Sequence, residues 1–104
     1  MRTILLANYA PHAVKGLIEG SDREAAVKKL LDSVGGKLET MMFTRGEFDV
    51  MLIADMPDQS TGMGLTMAVR ASGAFTKISI LEELDMNPII AAAQKAAKVY
   101  ESAG

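Results

Sequence analysis

The side chains best suited to proton transfer in this sequence are His12, Tyr9 and Asp49. His12 is the only histidine, and its position next to Pro11 at a predicted helix start favours the neutral imidazole that a general base requires. The simpler interpretation of the same position is an exposed residue at a helix end. Because the sequence places no carboxylates near His12 that could complete a metal site, we predict no bound metal, and we predict no cofactor.

Asp49 is a further candidate because it directly follows an aromatic residue, Phe48, at a predicted hairpin. Asp55 lies on the same strand six residues on, roughly 20 Å away at about 3.3 Å per residue, so the two cannot act as a catalytic carboxylate pair. We expect Asp49 to pair with a cation such as Arg45 or Arg70, or to be solvated at the end of the sheet.

Aromatic and methionine side chains supply the candidate ligand contacts. Tyr9 ends the first predicted strand and two phenylalanines flank the hairpin turn, so they could line a pocket between sheet and helices, or simply pack in the core. The eight methionines suit irregular cores as well as adaptable binding surfaces. The methionines that could line a cavity are Met41, Met42, Met51, Met63 and Met67. The candidate ligand-binding residues are Phe43, Arg45, Phe48, Met51 and Arg70.

Composition and charge exclude several classes of site. The chain has no cysteine, which rules out disulfides, thiolate metal sites and cysteine nucleophiles. Its formal net charge is −2, so nucleic acid is not an expected partner. Arg45-Gly46 begins like an RNA-recognition motif, but Glu47 and Asp49 occupy the aromatic positions of that motif. Gly62 and Gly64 lie in a predicted helix, where they make no phosphate loop.

Hydropathy gives no sign of a membrane segment. No apolar stretch approaches the roughly 18 residues that a transmembrane helix needs, and the N-terminal apolar run is too short for the core of a signal peptide. We therefore predict a cytoplasmic protein with no membrane partner. A chain of 104 residues is predicted to form a single domain over residues 1–104.

Hydrophobic periodicity and turn residues predict an α+β fold of βαββαβ order with an additional C-terminal helix. Predicted strands cover residues 3–9, 37–44, 47–56 and 74–84, and predicted helices cover 11–19, a second piece ending at 35, then 58–72 and about 88–102. Ser21 and Glu24 form a capping box for the second piece, and Asp58 and Asn87 are expected to cap the last two helices. Right-handed crossovers then give an antiparallel ferredoxin-like sheet with the first and third strands central.

Both central strands are predicted to be apolar on both faces. In the first strand, Ile4 and Leu6 point away from Leu5 and Ala7, and residues 50–53 of the third strand alternate in the same way. Helices cover only one face of a ferredoxin-like sheet, so the other face needs a cover. The C-terminal helix could supply part of it. A second copy packed sheet to sheet, in a dimeric α/β-barrel-type homo-oligomer, is the interpretation that we prefer.

A series of short motifs runs in order along most of the chain. It comprises Tyr9, Val14-Lys15-Gly16-Leu17, Gly35-Gly36-Lys37-Leu38, Phe43-Thr44, Gly46-Glu47-Phe48-Asp49, residues 50–56, Pro57-Asp58 and Ser72-Gly73. This series, over residues 9–84, resembles the GYD-domain family. Phe48 replaces the tyrosine of the family signature and Glu47 precedes it, so no role of a phenol is carried over. The resemblance implies a ferredoxin-like, dimeric α/β-barrel-type fold and no particular activity.

The sequence leaves three functions open. The first is a small-ligand-binding module in which a homo-oligomer encloses an apolar pocket, with Arg70 or Asp49 orienting the ligand. The second is an enzyme of the kind that dimeric α/β barrels often host, such as a cofactor-light monooxygenase or an isomerase, with proton transfer by His12, Tyr9 or Asp49. The third is a structural or protein-interaction role.

Overall fold

The computed structural model describes residues 1–102, which form four β-strands and four α-helices. The strands are β1 (Arg2–Tyr9), β2 (Lys37–Phe43), β3 (Val50–Asp55) and β4 (Phe75–Glu82). The helices are α1 (Pro11–Ile18), α2 (Arg23–Asp32), α3 (Gln59–Ala71) and α4 (Met86–Ala97). The order of elements confirms the predicted α+β class.

The four strands form one antiparallel sheet in the order β2-β3-β1-β4, so β1 and β3 are central as predicted. Leu5 of β1 lies opposite Leu52 of β3 and Ile80 of β4, which places these three side chains on one face. The next residue, Leu6, lies opposite Met51 on the other face. This topology is compatible with the ferredoxin-like arrangement.

The core lies between the sheet and helices α1, α2 and α3, in two clusters. One is centred on Ala7 and Val50, which are almost fully buried, and Leu17 of α1 packs against it. The other joins Leu31 of α2 to Ala54 of β3. Because alternate residues of a strand share a face, both clusters lie on the same side of the sheet, which we call the helix face.

The opposite side of the sheet, which we call the open face, is apolar in the middle and charged at both ends. Its apolar side chains are Ile4, Leu6, Met42, Met51, Ile53 and Leu81. At one end, Arg2 bridges Glu39 at 2.8 Å and Glu83 at 2.9 Å. At the other end, Lys77 Nζ lies 3.2 Å from Glu47 Oε1. The two-faced apolar pattern of the central strands therefore produces a face that the helices α1, α2 and α3 do not cover.

The predicted break between α1 and α2 is confirmed, but the capping residue lies one position later than expected. Gly20 follows α1 with φ 94°, a left-handed conformation that glycine adopts without strain. Asp22 rather than Ser21 caps α2, because its carboxylate accepts a hydrogen bond from the Ala25 N–H at 3.0 Å. A carboxylate at this position also interacts favourably with the positive end of the helix dipole.

Helix α3 begins at the predicted cap. The Asp58 carboxylate accepts a hydrogen bond from the Thr61 N–H at 2.7 Å, and this bond lowers the pKa of Asp58 below its ordinary value. The helix ends at Ala71, with Ser72 as its C-cap and Gly73 in the left-handed region at φ 73°. The sequence signals at both ends of this helix were therefore sufficient to predict where it begins and where it ends.

The predicted bounds of α4 were wrong by a few residues at each end. Its N-cap is Asp85, whose carboxylate accepts a hydrogen bond from the Asn87 N–H at 3.0 Å, so Asn87 is not the cap. Pro88 consequently lies inside the first turn, where a missing N–H costs no helical hydrogen bond. The helix ends at Ala97 instead of continuing to about residue 102.

The strands around the hairpin are shorter than predicted. Strand β3 starts at Val50 instead of residue 47, because the preceding residues form the turn. The Thr44 N–H donates to the Asp49 carbonyl at 2.8 Å, which closes this turn after β2 has ended at Phe43. Strand β4 likewise covers residues 75–82 instead of 74–84.

Helix α4 extends away from the rest of the molecule. The Cα radius of gyration is 18.0 Å and the longest dimension is 60 Å. A compact domain of about 100 residues has a radius of gyration of about 13 Å. Every residue of α4 is exposed, so this helix does not cover the open face of its own sheet.

Candidate functional site

Asp49 links the hairpin to the end of β1 through hydrogen bonds, most of them with backbone groups. Its carboxylate Oδ2 accepts a hydrogen bond from the Tyr9 N–H at 3.0 Å. Its own N–H donates to the Ala7 carbonyl and to Asn8 Oδ1, both at 3.0 Å. The carboxylate therefore pairs with a backbone amide instead of Arg45 or Arg70, and Asp49 is exposed, as expected in the solvated alternative.

Tyr9 lies in the core beneath the hairpin. Its ring stacks on Phe75 with centroids 5.1 Å apart and approaches Phe43 at 6.5 Å. Burial raises the pKa of the Tyr9 phenol above its ordinary value; the charge of Arg23 opposes this shift and that of Asp49 adds to it. The phenol is therefore protonated near neutral pH, and the raised pKa makes it a weaker acid than an exposed tyrosine.

Phe48 lies on the other side of the sheet from Tyr9. Lys77 Nζ is 4.9 Å above the centre of the Phe48 ring and also pairs with Glu47. Lys77 lies opposite Asn8 in the register of β4 with β1, which places this group at the end of the open face. The aromatic residues around the hairpin consequently do not line one common pocket.

His12 is exposed in the first turn of α1, and its side chain makes no hydrogen bond or ion pair with any residue in the range 1–102. It shares no hydrogen bond with Tyr9 or Asp49, so the three candidates for proton transfer form no connected site. Within the same range, no group of three or more histidine and carboxylate side chains lies close enough together to hold a metal ion.

A cavity of about 600 Å³ opens on the helix face, between α3 and the strands β1 and β4. One wall is formed by Met63, Met67 and Arg70, whose spacing of four and three residues places them on one side of α3. Ile80 and Glu82 of β4 form the opposite wall, because alternate residues of a strand point to the same face. The volume lies within the range of about 300–1,000 Å³ that is typical of small-molecule sites.

The cavity combines flexible apolar walls with few charges. Met63 is 63% exposed and Met67 is 73% exposed, and their unbranched thioether chains can adjust to the shape of a ligand. Arg70 forms no ion pair within residues 1–102, so its guanidinium is free to bind an anionic group. Glu82 on the opposite wall is likewise unpaired in that part of the chain.

Arg70 is the one predicted ligand-binding residue that lines this cavity. Met51 points to the open face, and Phe43 packs on the aromatic cluster of the core. Phe48 lies under Lys77 at the end of the open face, and Arg45 is exposed in the hairpin turn. The structure therefore does not bring the five candidates together.

The methionine candidates divide in a similar way. Met63 and Met67 line the cavity, whereas Met41 packs against the core and Met42 points to the open face. The sequence interpretation missed Thr3, Ile80 and Glu82, although the alternation of β1 and β4 places them on the helix face. It also missed Met1 and two polar side chains of α3, Gln59 and Thr66.

The first residue closes one end of the cavity. The Met1 ammonium lies 2.7 Å from Asp55 Oδ1 and donates to the Met56 carbonyl at 2.8 Å. This hydrogen bond and the charge of the ammonium lower the pKa of Asp55 below its ordinary value. The pairing fixes the chain where Met1 contributes to the cavity wall.

Replacing Thr3 by valine should raise the free energy of unfolding by about 1 kcal/mol, because the Thr3 hydroxyl is buried with no hydrogen-bond partner in residues 1–102. Valine has nearly the same shape and leaves no unsatisfied polar atom. Urea denaturation measures the change. Thr66→Val is the matched control, since the Thr66 hydroxyl already donates to the Gly62 carbonyl at 2.9 Å and its loss should not stabilise the protein. A destabilising Thr3→Val substitution would contradict this view of the cavity wall.

A second, smaller cavity of about 270 Å³ lies between α2 and α3. Its walls are almost entirely aliphatic, with Val27 and Leu30 of α2 facing Leu65 and Val69 of α3. Few polar groups converge there to orient a ligand, so this space is better understood as loose packing of the helix layer.

Comparison with known families gives one result. The GYD domain family matches residues 4–93, a range that begins within β1 and ends within α4. No curated protein matches the chain. Across residues 1–102, no helix has the length and apolar character needed to cross a membrane. Because the match spans most of the 104 residues and agrees with the motifs around the hairpin, this chain belongs to the GYD domain family.

Proposed function

We propose that this protein is a small-ligand-binding domain that works as a homodimer, with the ligand in the cavity between α3 and β4. The observation that carries the proposal is the guanidinium of Arg70, which has no ion-pair partner in residues 1–102, in a cavity of about 600 Å³ whose walls are mainly apolar. Apolar pockets with a few convergent polar groups are typical of small-molecule sites. A ligand with an apolar body and one anionic group matches this arrangement.

The two copies of the dimer pack open face to open face. The middle of this face carries apolar side chains from all four strands, with Thr40 and Ser79 among them, and soluble monomers seldom expose a patch of that kind. The ion pairs of Arg2 and Lys77 at its two ends then form a polar rim around an apolar centre, as in other protein interfaces. This support is independent of the cavity, which lies on the opposite face.

Binding is favoured over catalysis by the positions of the titratable residues. None of His12, Tyr9 and Asp49 lines the cavity, and the carboxylate of Asp49 is occupied by a backbone amide. A cytoplasmic location, and the absence of nucleic-acid and membrane partners, stay predictions from the sequence.

Substituting Arg70 by glutamine should weaken the binding of an apolar carboxylate by at least about tenfold, which corresponds to about 1.4 kcal/mol. Octanoate is a suitable probe, and isothermal titration calorimetry measures its dissociation constant. Arg45→Gln is the matched control: it removes the same charge from an exposed turn outside the cavity, so octanoate should bind as it does to the unmodified protein.

If the Arg45 and Arg70 substitutions weaken octanoate binding equally, binding depends only on the net charge of the protein. That result would contradict a site at Arg70. Native mass spectrometry of freshly purified protein offers a second check. If no small molecule is retained and no carboxylate in a metabolite panel raises the melting temperature, the ligand-binding proposal is wrong.

A further inference from the structure

Helix α4 carries an apolar stripe that the rest of the described chain leaves uncovered. The stripe consists of Met86, Ile89, Ile90, Ala93 and Ala97. These positions recur at helical spacing, and all of them are exposed. Ala91 and Lys95 lie on the other side of the helix. The division into two sides is that of a helix that packs against a surface.

A helix of this length needs such a surface. Helix α4 has 12 residues, and isolated helices shorter than about 12–15 residues are only marginally stable in water. All of its residues are exposed, and the helix extends away from the sheet and from the other three helices. A covering surface on another molecule would stabilise this helix.

We infer that α4 is an arm that packs on a second copy of this chain, within the homodimer proposed above, on which this inference rests. In a two-fold dimer each copy gives one arm and receives one. The arm leaves from the end of the edge strand β4, where the Glu83 N–H donates to the Arg2 carbonyl at 3.0 Å. Arg2 marks one end of the open face, so a copy packed on that face lies beside the start of the arm.

The area available supports a second copy as the partner. Four strands at about 4.8 Å spacing, each about 20 Å long, give the open face a footprint of roughly 400 Å². An arm of about 18 Å by 10 Å adds roughly 180 Å². Each copy buries its open face, its own arm and the surface under the partner's arm. The buried area is then roughly 760 Å² per copy, close to the roughly 800 Å² per partner of a standard interface. The sheet alone supplies about half of that area.

Symmetry gives a further reason to prefer a second copy. Within residues 1–102, the open face and the stripe of α4 are both apolar and uncovered, and a single two-fold pairing covers both of them on both copies. An unrelated protein would need two matching surfaces at the corresponding positions.

Aspartate residues introduced into the stripe should weaken the dimer, whereas aspartate residues on the opposite side of α4 should not. In the stripe variant Ile89→Asp and Ile90→Asp are combined, and we expect the dimer dissociation constant to rise at least about tenfold. The control combines Ala91→Asp and Ala92→Asp, which introduces the same residues and charge on the side of the same helix that faces away from the stripe. Sedimentation equilibrium measures both constants. Because α4 does not pack on its own domain, circular dichroism should show that both variants stay folded.

Hydrogen exchange separates packing on a partner from packing on the same chain. Amides of α4 should be protected in the dimer and unprotected in a monomeric sheet-face variant, Leu6→Lys. Protection that persists in the monomer would overturn the inference, and so would a stripe variant with an unchanged dissociation constant. If Leu6→Lys dissociates the dimer while the stripe variant does not, the sheet-to-sheet dimer stands and only the arm is wrong.

Discussion

Replacing Leu6 by lysine should dissociate the homodimer. Leu6 lies on the open face in the middle of the central strand β1, opposite Met51 of β3. Two-fold pairing of the open faces would bury one lysine from each copy, and an unpaired buried charge costs several kcal/mol. We expect the dimer dissociation constant to rise at least about 100-fold, which corresponds to about 2.7 kcal/mol. Sedimentation equilibrium of the variant measures it.

The same lysine should leave the monomer folded, because the open face contacts solvent in a separate copy, and far-UV circular dichroism checks this. Ile18→Lys is the control, since Ile18 is 82% exposed on α1 and lies away from the open face. It adds the same charge and should leave the dissociation constant unchanged. A Leu6→Lys variant that dimerises as tightly as the control would show that this face is not the interface.

Truncating Leu31 to alanine should lower the free energy of unfolding by about 2–5 kcal/mol, a large share of the 5–15 kcal/mol that stabilises a typical domain. Leu31 is 2% exposed and joins α2 to Ala54 and Met56 in one of the two core clusters. Gly36 packs close to it, since an added Cβ there would lie 3.3 Å from Leu31 Cδ2. Because the neighbouring atoms pack closely around the Leu31 side chain, its truncation leaves a cavity.

Urea denaturation at a fixed protein concentration measures this loss, because the stability of a dimer depends on concentration. Ile18→Ala removes an aliphatic side chain of similar size from an exposed position, and we expect a change within about 0.5 kcal/mol. A Leu31→Ala variant as stable as the Ile18→Ala variant would contradict the assignment of the core.

The order of elements could be predicted because its signals are local. The apolar run over residues 3–9, which stops before Pro11, identifies a strand with two apolar faces, and Gly20 marks the break between two helices. The central positions of β1 and β3 followed from the handedness of the crossovers. The N-cap of α2 was misplaced by one residue because Ser21 and Asp22 are both good caps, and only the folded backbone decides between them.

The candidate site was harder to predict because it depends on distances between elements. The spacing of Met63, Met67 and Arg70 places them on one side of a helix, but the gap between that helix and β4 is set by tertiary packing. The partner of Asp49 was missed for a similar reason: a backbone amide of Tyr9 reaches the carboxylate only after β1 and the hairpin are brought together. Backbone partners leave no signature in the residue types.

The packing of α4 shows a different kind of ambiguity. Its apolar stripe indicates a helix that packs against a surface, but every copy of the chain offers the same surfaces. The sequence alone therefore cannot separate packing within one copy from packing between two. The extension of α4 away from its own sheet is the structural fact that favours the second arrangement.

Sedimentation equilibrium of the unmodified protein at micromolar concentration tests the central claim, the homodimer, most directly. The chain has a mass of 11.1 kDa, and we predict a species of twice that mass across the concentration range. A single species of 11.1 kDa at tens of micromolar would contradict both the sheet-to-sheet interface and the arm that depends on it.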